Sequence, residues 1–142
     1  MPSPDKIYVE KEIHKTYVRL AKEEGSDESL KSFRTMKDLF LAAAVMGYLN
    51  DNFIPLKALQ EIFVWSTLLN DEHALNVLRS IALAKTEDPN VLIKDEEIAK
   101  IAEGYANGGI HLLTKRILES DATELEEAAI FMSEFTEKID EI

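Results

Sequence analysis

Apolar residues recur at helical spacing along most of this chain, and the clearest stripe runs from Met36 to Met46. Apolar side chains there fall three and four positions apart, so they line one face of a helix. Thr35 precedes the stripe and Asp38 follows three residues later, which is typical of a helix start because the hydroxyl accepts from an exposed backbone N–H. We therefore predict a helix from Thr35, in which the small residues 42–44 allow a second helix to approach closely.

Later segments show the same periodicity. An apolar helix is predicted to end near Lys85, with Asn70 as its cap, and a turn is predicted at 88–90. The next helix is predicted to start at the acidic turn 94–97, since carboxylates favour the positive end of the helix dipole, and to reach a glycine pair. Further helices are predicted over the ranges 110–118 and 121–142.

Two segments are ambiguous. Over residues 5–24 an irregular apolar stripe among charges favours a first helix that ends at Gly25, and residues 26–32 are predicted to form a polar linker. Over residues 53–69 the pattern is interrupted by proline. A helix through this segment and a short strand at 62–65 both fit, and we favour the helix.

These elements together predict an all-α protein of about five to seven helices, with one short irregular or strand segment allowed at 53–69. A chain of 142 residues fits a single domain and is long enough to bury a sizeable core. Within that domain we distinguish an N-terminal helix at 1–25, a core at 33–118 and an acidic C-terminal helix at 121–142.

Gly108 and Gly109 interrupt a run that otherwise has a helical pattern, and they follow Tyr105 and Asn107 directly. Two glycines cost about 2 kcal/mol of helix stability relative to two alanines. We therefore expect a turn, a helix end or the close approach of another backbone at this pair. Each of these roles is structural.

The charge of the chain narrows the range of its possible functions. The net charge is −11, and −8 of it falls after residue 118, where nine acidic residues accompany one lysine. Nucleic-acid binding depends on lysines and arginines that neutralise phosphates, so this balance disfavours a free-standing DNA binder. We interpret the acidic end as a solvated helix face, with docking to a basic partner and mimicry of DNA charge as alternatives.

Cysteine is absent, so disulfides and thiolate ligands are excluded. The first residues lack the apolar core of a secretory signal, and no apolar run approaches the roughly 20 residues that a membrane span needs. From these features we expect a cytoplasmic protein.

No pattern in the sequence points to catalysis or to a cofactor. Glu10 and His14 are four apart, which would place them on one helix face, but such a pair is common by chance and His73 and His111 lie far away. A nucleophile elbow and a phosphate loop are both missing. Carboxylates are plentiful but fall on predicted outward helix faces, where a raised pKa is not expected. We predict a non-enzyme without a metal or a cofactor.

Four side chains are candidates for contact with a partner. Trp65 lies in the ambiguous segment, and we weigh a partner contact there against the commoner role of a buried aromatic ring. Lys31, Arg34 and Lys37 are the cations that a direct contact with DNA would use.

Two stretches resemble a known family. The segment FRTMKDLFLAAAVMGY at 33–48 is similar to a segment of the small proteins encoded with bacterial and archaeal DNA phosphorothioation (Dnd) systems, and the string YANGG at 105–109 is similar to a second one. The resemblance covers roughly residues 33–118. Within it, capping accounts for Thr35 and Asp38, and backbone geometry accounts for the two glycines.

The resemblance implies association with the machinery that replaces a backbone phosphate oxygen of DNA by sulfur, or with the restriction system that reads this mark. It implies no catalytic residues. Our leading expectation is a non-enzymatic accessory or adaptor protein that binds another protein of that complex through an apolar patch ringed by acids. The alternative is a regulator of DNA binding, through direct contact or acidic mimicry. A homodimer is expected because soluble proteins often pair about a two-fold axis.

Overall fold

A computed structural model describes residues 4–21 and 35–118 of the chain. Several sequence predictions concern residues outside these ranges and are not addressed below: the helix end at Gly25, the linker at 26–32, the acidic helix at 121–142, and the candidate cations Lys31 and Arg34.

Helices account for most of the described residues, and two short strands accompany them. The elements are β1 (Lys6–Glu10), a 3-10 turn (Lys11–Ile13), α1 (His14–Leu20), α2 (Met36–Leu49), β2 (Leu59–Val64), α3 (Ser66–Leu69), α4 (Glu72–Thr86), a second 3-10 turn (Pro89–Ile93) and α5 (Asp95–Leu118). The protein is therefore mostly α. The part that the structure describes contains five α-helices, within the predicted range, and one two-stranded sheet that the predicted all-α fold does not include.

The start of α2 confirms the predicted cap. The Thr35 side chain accepts a hydrogen bond of 3.1 Å from the backbone N–H of Asp38, and the helix runs on to Leu49. Its residues 39–47 are all buried, although only one face was expected to be apolar. The reason is that α2 lies at the centre of the fold, packed mainly against α5 and also against α1, α4 and β2.

The cap of α4 lies one residue later than predicted. Asp71, rather than Asn70, caps this helix, because its carboxylate accepts a hydrogen bond of 3.1 Å from the backbone N–H of Ala74. The predicted end near Lys85 is confirmed, since the helix stops at Thr86 and Glu87 adopts a left-handed conformation with φ of 55°. The predicted turn at 88–90 begins the second 3-10 turn, in which the Asp88 side chain accepts from the backbone N–H of Asn90 at 3.0 Å.

The prediction of helix over residues 5–24 is wrong for its first part. Residues 6–10 form a strand in which Ile7 and Val9 are buried, so the inward positions recur every second residue. Only residues 14–20 form an α-helix there. Taken alone, residues 6–10 also fit an irregular helical stripe. Pairing with a distant segment of the chain selects the strand over the helix.

That distant segment is β2, so the helix favoured over residues 53–69 is wrong for residues 59–64. The strand alternative is right in type, although it was placed at 62–65, and residues 66–69 form the short helix α3. β1 and β2 pair antiparallel, with Ile7 opposite Phe63 and Tyr8 opposite Glu61. Ile62 is the extra residue of a bulge, and for this reason Ile62 and Phe63 are both partly buried. The bulge breaks the strict alternation that would have identified the strand.

The glycine pair lies inside one continuous helix. α5 runs from residue 95 to 118 through Gly108 and Gly109, so the predicted turn, the predicted helix end and the separate helix at 110–118 are wrong. The predicted close approach is right. A Cβ at Gly109 would overlap the carbonyl oxygen of Ala43 and the backbone nitrogen of Gly47. The backbones of α2 and α5 therefore touch along a seam where side chains are absent.

We expect Gly109→Ala to destabilise the protein by about 2 kcal/mol or more, even though alanine favours an isolated helix by about 1 kcal/mol. The new methyl group meets two backbone atoms of α2, which can yield only if the helices separate. The free energy of unfolding in urea measures the loss.

Gly104→Ala is the matched control, because the atoms nearest to its Cβ belong to the ring of Phe53, a partly exposed side chain, and not to backbone. The control should change the free energy of unfolding by about 1 kcal/mol or less. Equal stability of the two variants would contradict a rigid seam between α2 and α5.

Candidate functional site

The YANGG string at 105–109 and the glycine before it hold the loop after α2 against α5 through hydrogen bonds. The Asn52 side chain donates to the carbonyl of Gly108 at 2.8 Å, and the Asn107 side chain donates to the carbonyl of Ile54 at 3.0 Å. The backbone N–H of Ile54 in turn donates to the carbonyl of Gly104 at 3.0 Å. These groups are occupied by contacts within the fold.

An aromatic cluster closes the same loop. The ring of Tyr105 packs edge-on against the rings of Tyr48 and Phe53, with centroids 5.7 and 5.1 Å away. The ammonium group of Lys85 lies 4.2 Å from the centroid of the Phe53 ring, which stabilises the outer side of the cluster. Tyr105, Asn107, Gly108 and Gly109 thus have packing partners that account for their residue types.

Lys37 is engaged by another residue. Its ammonium group forms a hydrogen bond and an ion pair with the Asp71 carboxylate that caps α4, and 19% of the side chain is exposed. The bond from Lys37 holds the pKa of Asp71 below its ordinary value. An ammonium group committed in this way is poorly placed to neutralise a DNA phosphate.

Trp65 lies in the core and has 2% of its surface exposed. The structure therefore places its ring with the buried aromatic residues, which was the commoner of the two roles considered. Its backbone N–H donates to the carbonyl of Asp5 at 2.9 Å, which extends the pairing between the two strands by one step.

Glu10 and His14, which the sequence analysis considered as a pair on one helix face, do not share a helix. Glu10 ends β1, and its carboxylate accepts hydrogen bonds from the backbone N–H groups of Lys57 and Ala58 at 2.9 and 3.3 Å. Across residues 4–21 and 35–118 the side chains form no group that could hold a metal ion. Over the same ranges no helix is both long and apolar enough to cross a membrane.

A cleft of about 360 Å³ lies between β1 and the first half of α5. Its lining comprises Pro4, Asp5, Lys6, Tyr8, Leu59, Glu96, Ala99, Lys100 and Glu103. The volume falls at the lower end of the range of small-ligand sites, and the walls combine apolar carbon with several charged groups. Sequence analysis did not identify this feature, because its walls come from segments more than 90 residues apart.

Glu103 is the residue that the sequence analysis missed. Its carboxylate accepts a hydrogen bond of 2.8 Å from the backbone N–H of Tyr8 on β1. Burial raises the pKa of Glu103 to about 7, although the Tyr8 bond and the charge of Lys100 act in the opposite direction. The prediction that carboxylates lie only on outward helix faces is wrong here. One signal was available, since Glu103 follows buried Ala99 by four residues and therefore lies on the same helix face.

The two lysines of the cleft are paired with other carboxylates. Lys6 contacts Glu61 on the neighbouring strand at 2.6 Å, and Lys100 contacts Glu96 at 3.6 Å one turn earlier on α5. The bond to Glu61 raises the pKa of Lys6. Neither lysine forms an ion pair with Glu103 among the described residues.

An exposed apolar surface adjoins the cleft. Leu59, which lines the cleft, is 58% exposed on β2, and Val64 at the other end of that strand is 49% exposed. We call Leu59, Glu61 and Val64 together the β2 surface. Within the described part of the chain, β2 pairs only with β1, so its second edge carries no strand there.

Comparison with known proteins gives one match. A family model described as DNA sulphur modification system-associated protein 4 matches residues 6–141. Searches of the curated proteins and of the solved structures found no match to the chain. The matched region is wider than the resemblance noted at 33–118, and it includes β1 and the strand pairing.

We expect Glu103→Gln to stabilise the protein at pH 8 and to have little effect at pH 4. A folded pKa of about 7, above the ordinary 4.5, means that the folded state binds the proton more tightly than the unfolded state. The resulting stabilisation is fully present below about pH 4.5 and is lost as the pH rises through 7. Glutamine keeps the acceptor for Tyr8 and cannot ionise.

Since one pKa unit corresponds to about 1.4 kcal/mol, the gain at pH 8 should be a few kcal/mol at most. Urea unfolding at a series of pH values measures it, with Glu72→Gln at an exposed position as the control. An equal effect of Glu103→Gln at pH 4 and pH 8 would contradict a raised pKa.

Proposed function

Because the chain belongs to the family of DNA sulphur modification system-associated protein 4, whose name indicates association with that system, we propose that it is a non-enzymatic accessory protein of the system. In this proposal it acts by binding another protein of the modification or restriction complex. The contact surface is the β2 surface together with the adjoining cleft.

The observation that carries the proposal is the exposure of Leu59 and Val64 on one short strand. Large apolar side chains on an edge strand are a feature that proteins usually avoid, because such a strand is a template for pairing with another chain. Partners that add to a strand edge gain affinity from backbone hydrogen bonds and specificity from the side chains. A protein partner therefore suits this surface.

The roles of the signature residues also support the proposal. Gly108 and Gly109 admit the neighbouring backbone, and Asn107 binds the carbonyl of Ile54. These residues specify the relative position of α2 and α5, which is a role in shape rather than in chemical reaction. A stable shape is what an adaptor has to offer its partner.

Direct contact with DNA is less well supported. Of the three cations considered for it, Lys37 is bound to Asp71, and the other two lie outside the described residues. The segment after residue 118 carries a charge of −8, which repels DNA phosphates. We therefore retain protein binding as the proposed function.

We expect the double substitution Leu59→Glu and Val64→Glu to weaken capture of the partner at least tenfold, because two carboxylates would have to be buried in the interface. Capture is measured by mixing the purified chain with the purified proteins of the host's DNA sulphur modification and restriction machinery, one candidate protein at a time. Light scattering on the wild-type chain and on the double variant, each measured alone, reports whether the same surface joins two copies of the chain.

Ile93→Glu is the matched control. Ile93 is 78% exposed but lies on the second 3-10 turn, outside the proposed surface. It should leave capture unchanged. Failure of the wild-type chain to capture any of these proteins, or equal loss in the control, would contradict the proposed function.

We further expect no shift of a labelled DNA duplex by the chain at low salt. A contact through several phosphates would bind most tightly under that condition and weaken steeply as salt is added. A shift that salt abolishes would favour the DNA-binding alternative instead.

A further inference from the structure

We propose that the cleft between β1 and α5 binds the side chain of an arginine supplied by the partner protein, with the carboxyl group of Glu103 as its counter-ion. This inference rests on the proposed function, because it names the chemistry by which that contact is made specific.

The cleft contains a carboxyl group that the fold does not neutralise. Glu103 is half-buried, and its carboxylate accepts from a neutral donor, the backbone N–H of Tyr8. Asp5, which directly precedes β1, adds a further carboxylate to the lining. Removing an ionised carboxyl group from water is costly unless a cation compensates it, so a cation that enters the cleft is attracted to this position.

The cations already present are held by other groups. Lys6 is paired with Glu61 and Lys100 with Glu96, at 2.6 and 3.6 Å. Lys100 still lowers the pKa of Glu103 through its charge, but burial outweighs this influence. The charged groups that face Glu103 thus include two lysines bound to other carboxylates and two acids, Asp5 and Glu96.

The walls of the cleft suit the stem of a long side chain. Pro4, Leu59 and Ala99 provide apolar carbon, and the aromatic residue Tyr8 also belongs to the lining. Lysine and arginine side chains bury their methylene stems on such surfaces while the charged end meets a polar group. The volume of about 360 Å³ admits one side chain of this length without opening the fold.

Arginine fits these features better than lysine. Its planar guanidinium group pairs with a carboxylate through two parallel hydrogen bonds and stacks on aromatic rings. It is also less strongly hydrated than an ammonium group, so its transfer into a half-buried cleft costs less. Arginine is enriched at the centres of protein interfaces for these reasons.

The test is an NMR titration of the full chain with Nα-acetylarginine amide, following the backbone amide of Tyr8 and the side-chain carboxyl of Glu103. We expect saturable shifts at both positions and a fall of about one unit in the pKa of Glu103, since a cation within hydrogen-bond distance favours the ionised form. Nα-acetyllysine amide at the same concentration should give smaller shifts, and sodium chloride should give none that saturate.

Glu103→Gln should abolish the response of the Tyr8 amide to the arginine probe, whereas Glu72→Gln, at an exposed site on α4, should leave it unchanged. Both variants keep the wild-type fold if their amide spectra elsewhere match. No saturable shift with the arginine probe, or an equal response in Glu103→Gln, would overturn the inference. A larger response to the lysine probe would overturn the choice of arginine.

The two proposals fail separately. Capture of a partner protein by a chain whose cleft ignores the arginine probe leaves the proposed function standing and removes this inference. If the cleft binds the probe but the chain captures no partner, the proposed function is wrong and the cleft is still a guanidinium site.

Discussion

The fold depends on one contact, the direct approach of the α2 and α5 backbones at Ala43, Gly47 and Gly109. A methyl group at Gly47 or Gly109 would overlap backbone atoms of the other helix, so the absence of side chains sets the distance between the two helices. Helix packing at so short a distance multiplies van der Waals contacts between backbone atoms. The loop after α2 is fixed to α5 because the side-chain amides of Asn52 and Asn107 donate hydrogen bonds to the backbone carbonyls of Gly108 and Ile54.

The contact with α2 also fixes the position of the side of α5 that lies against β1. The face of α5 that carries Ala99 and Glu103 packs on β1, and the hydrogen bond from Tyr8 to Glu103 joins the two elements. A glutamine would provide the same acceptor without the electrostatic cost of a half-buried carboxylate. The residue present is therefore not the one that stability alone favours. Proteins commonly accept such a cost where a charged group serves a binding site, and this is why the cleft, rather than the signature string, is the more informative chemical feature.

The success of sequence reasoning depended on how local the deciding interactions are. α2 and α4 were predictable because the helical stripe and the caps lie within a few residues, and Thr35 caps its helix as expected. β1 was missed and β2 was only an alternative, because each strand is short and its paired residues lie 49 to 58 positions away. The bulge at Ile62 also removes the alternation from β2. The glycine pair left three roles open, since the backbone that selects among them belongs to another helix. Glu103 was missed for the same reason, because the element that buries it is β1.

The family match covers both the side of α5 that contacts α2 and the side that contacts β1. A region limited to residues 33–118 would contain the seam and the glycine string but not β1, and without β1 neither the sheet nor the cleft exists. The match begins at residue 6, the first residue of β1, and continues through α5. The match therefore spans β1 and α5 on the two sides of the cleft as well as the seam between α2 and α5. The residues of β1, β2 and α5 that form the proposed contact surface lie within the matched region, whereas Pro4 and Asp5 at the edge of the cleft precede it.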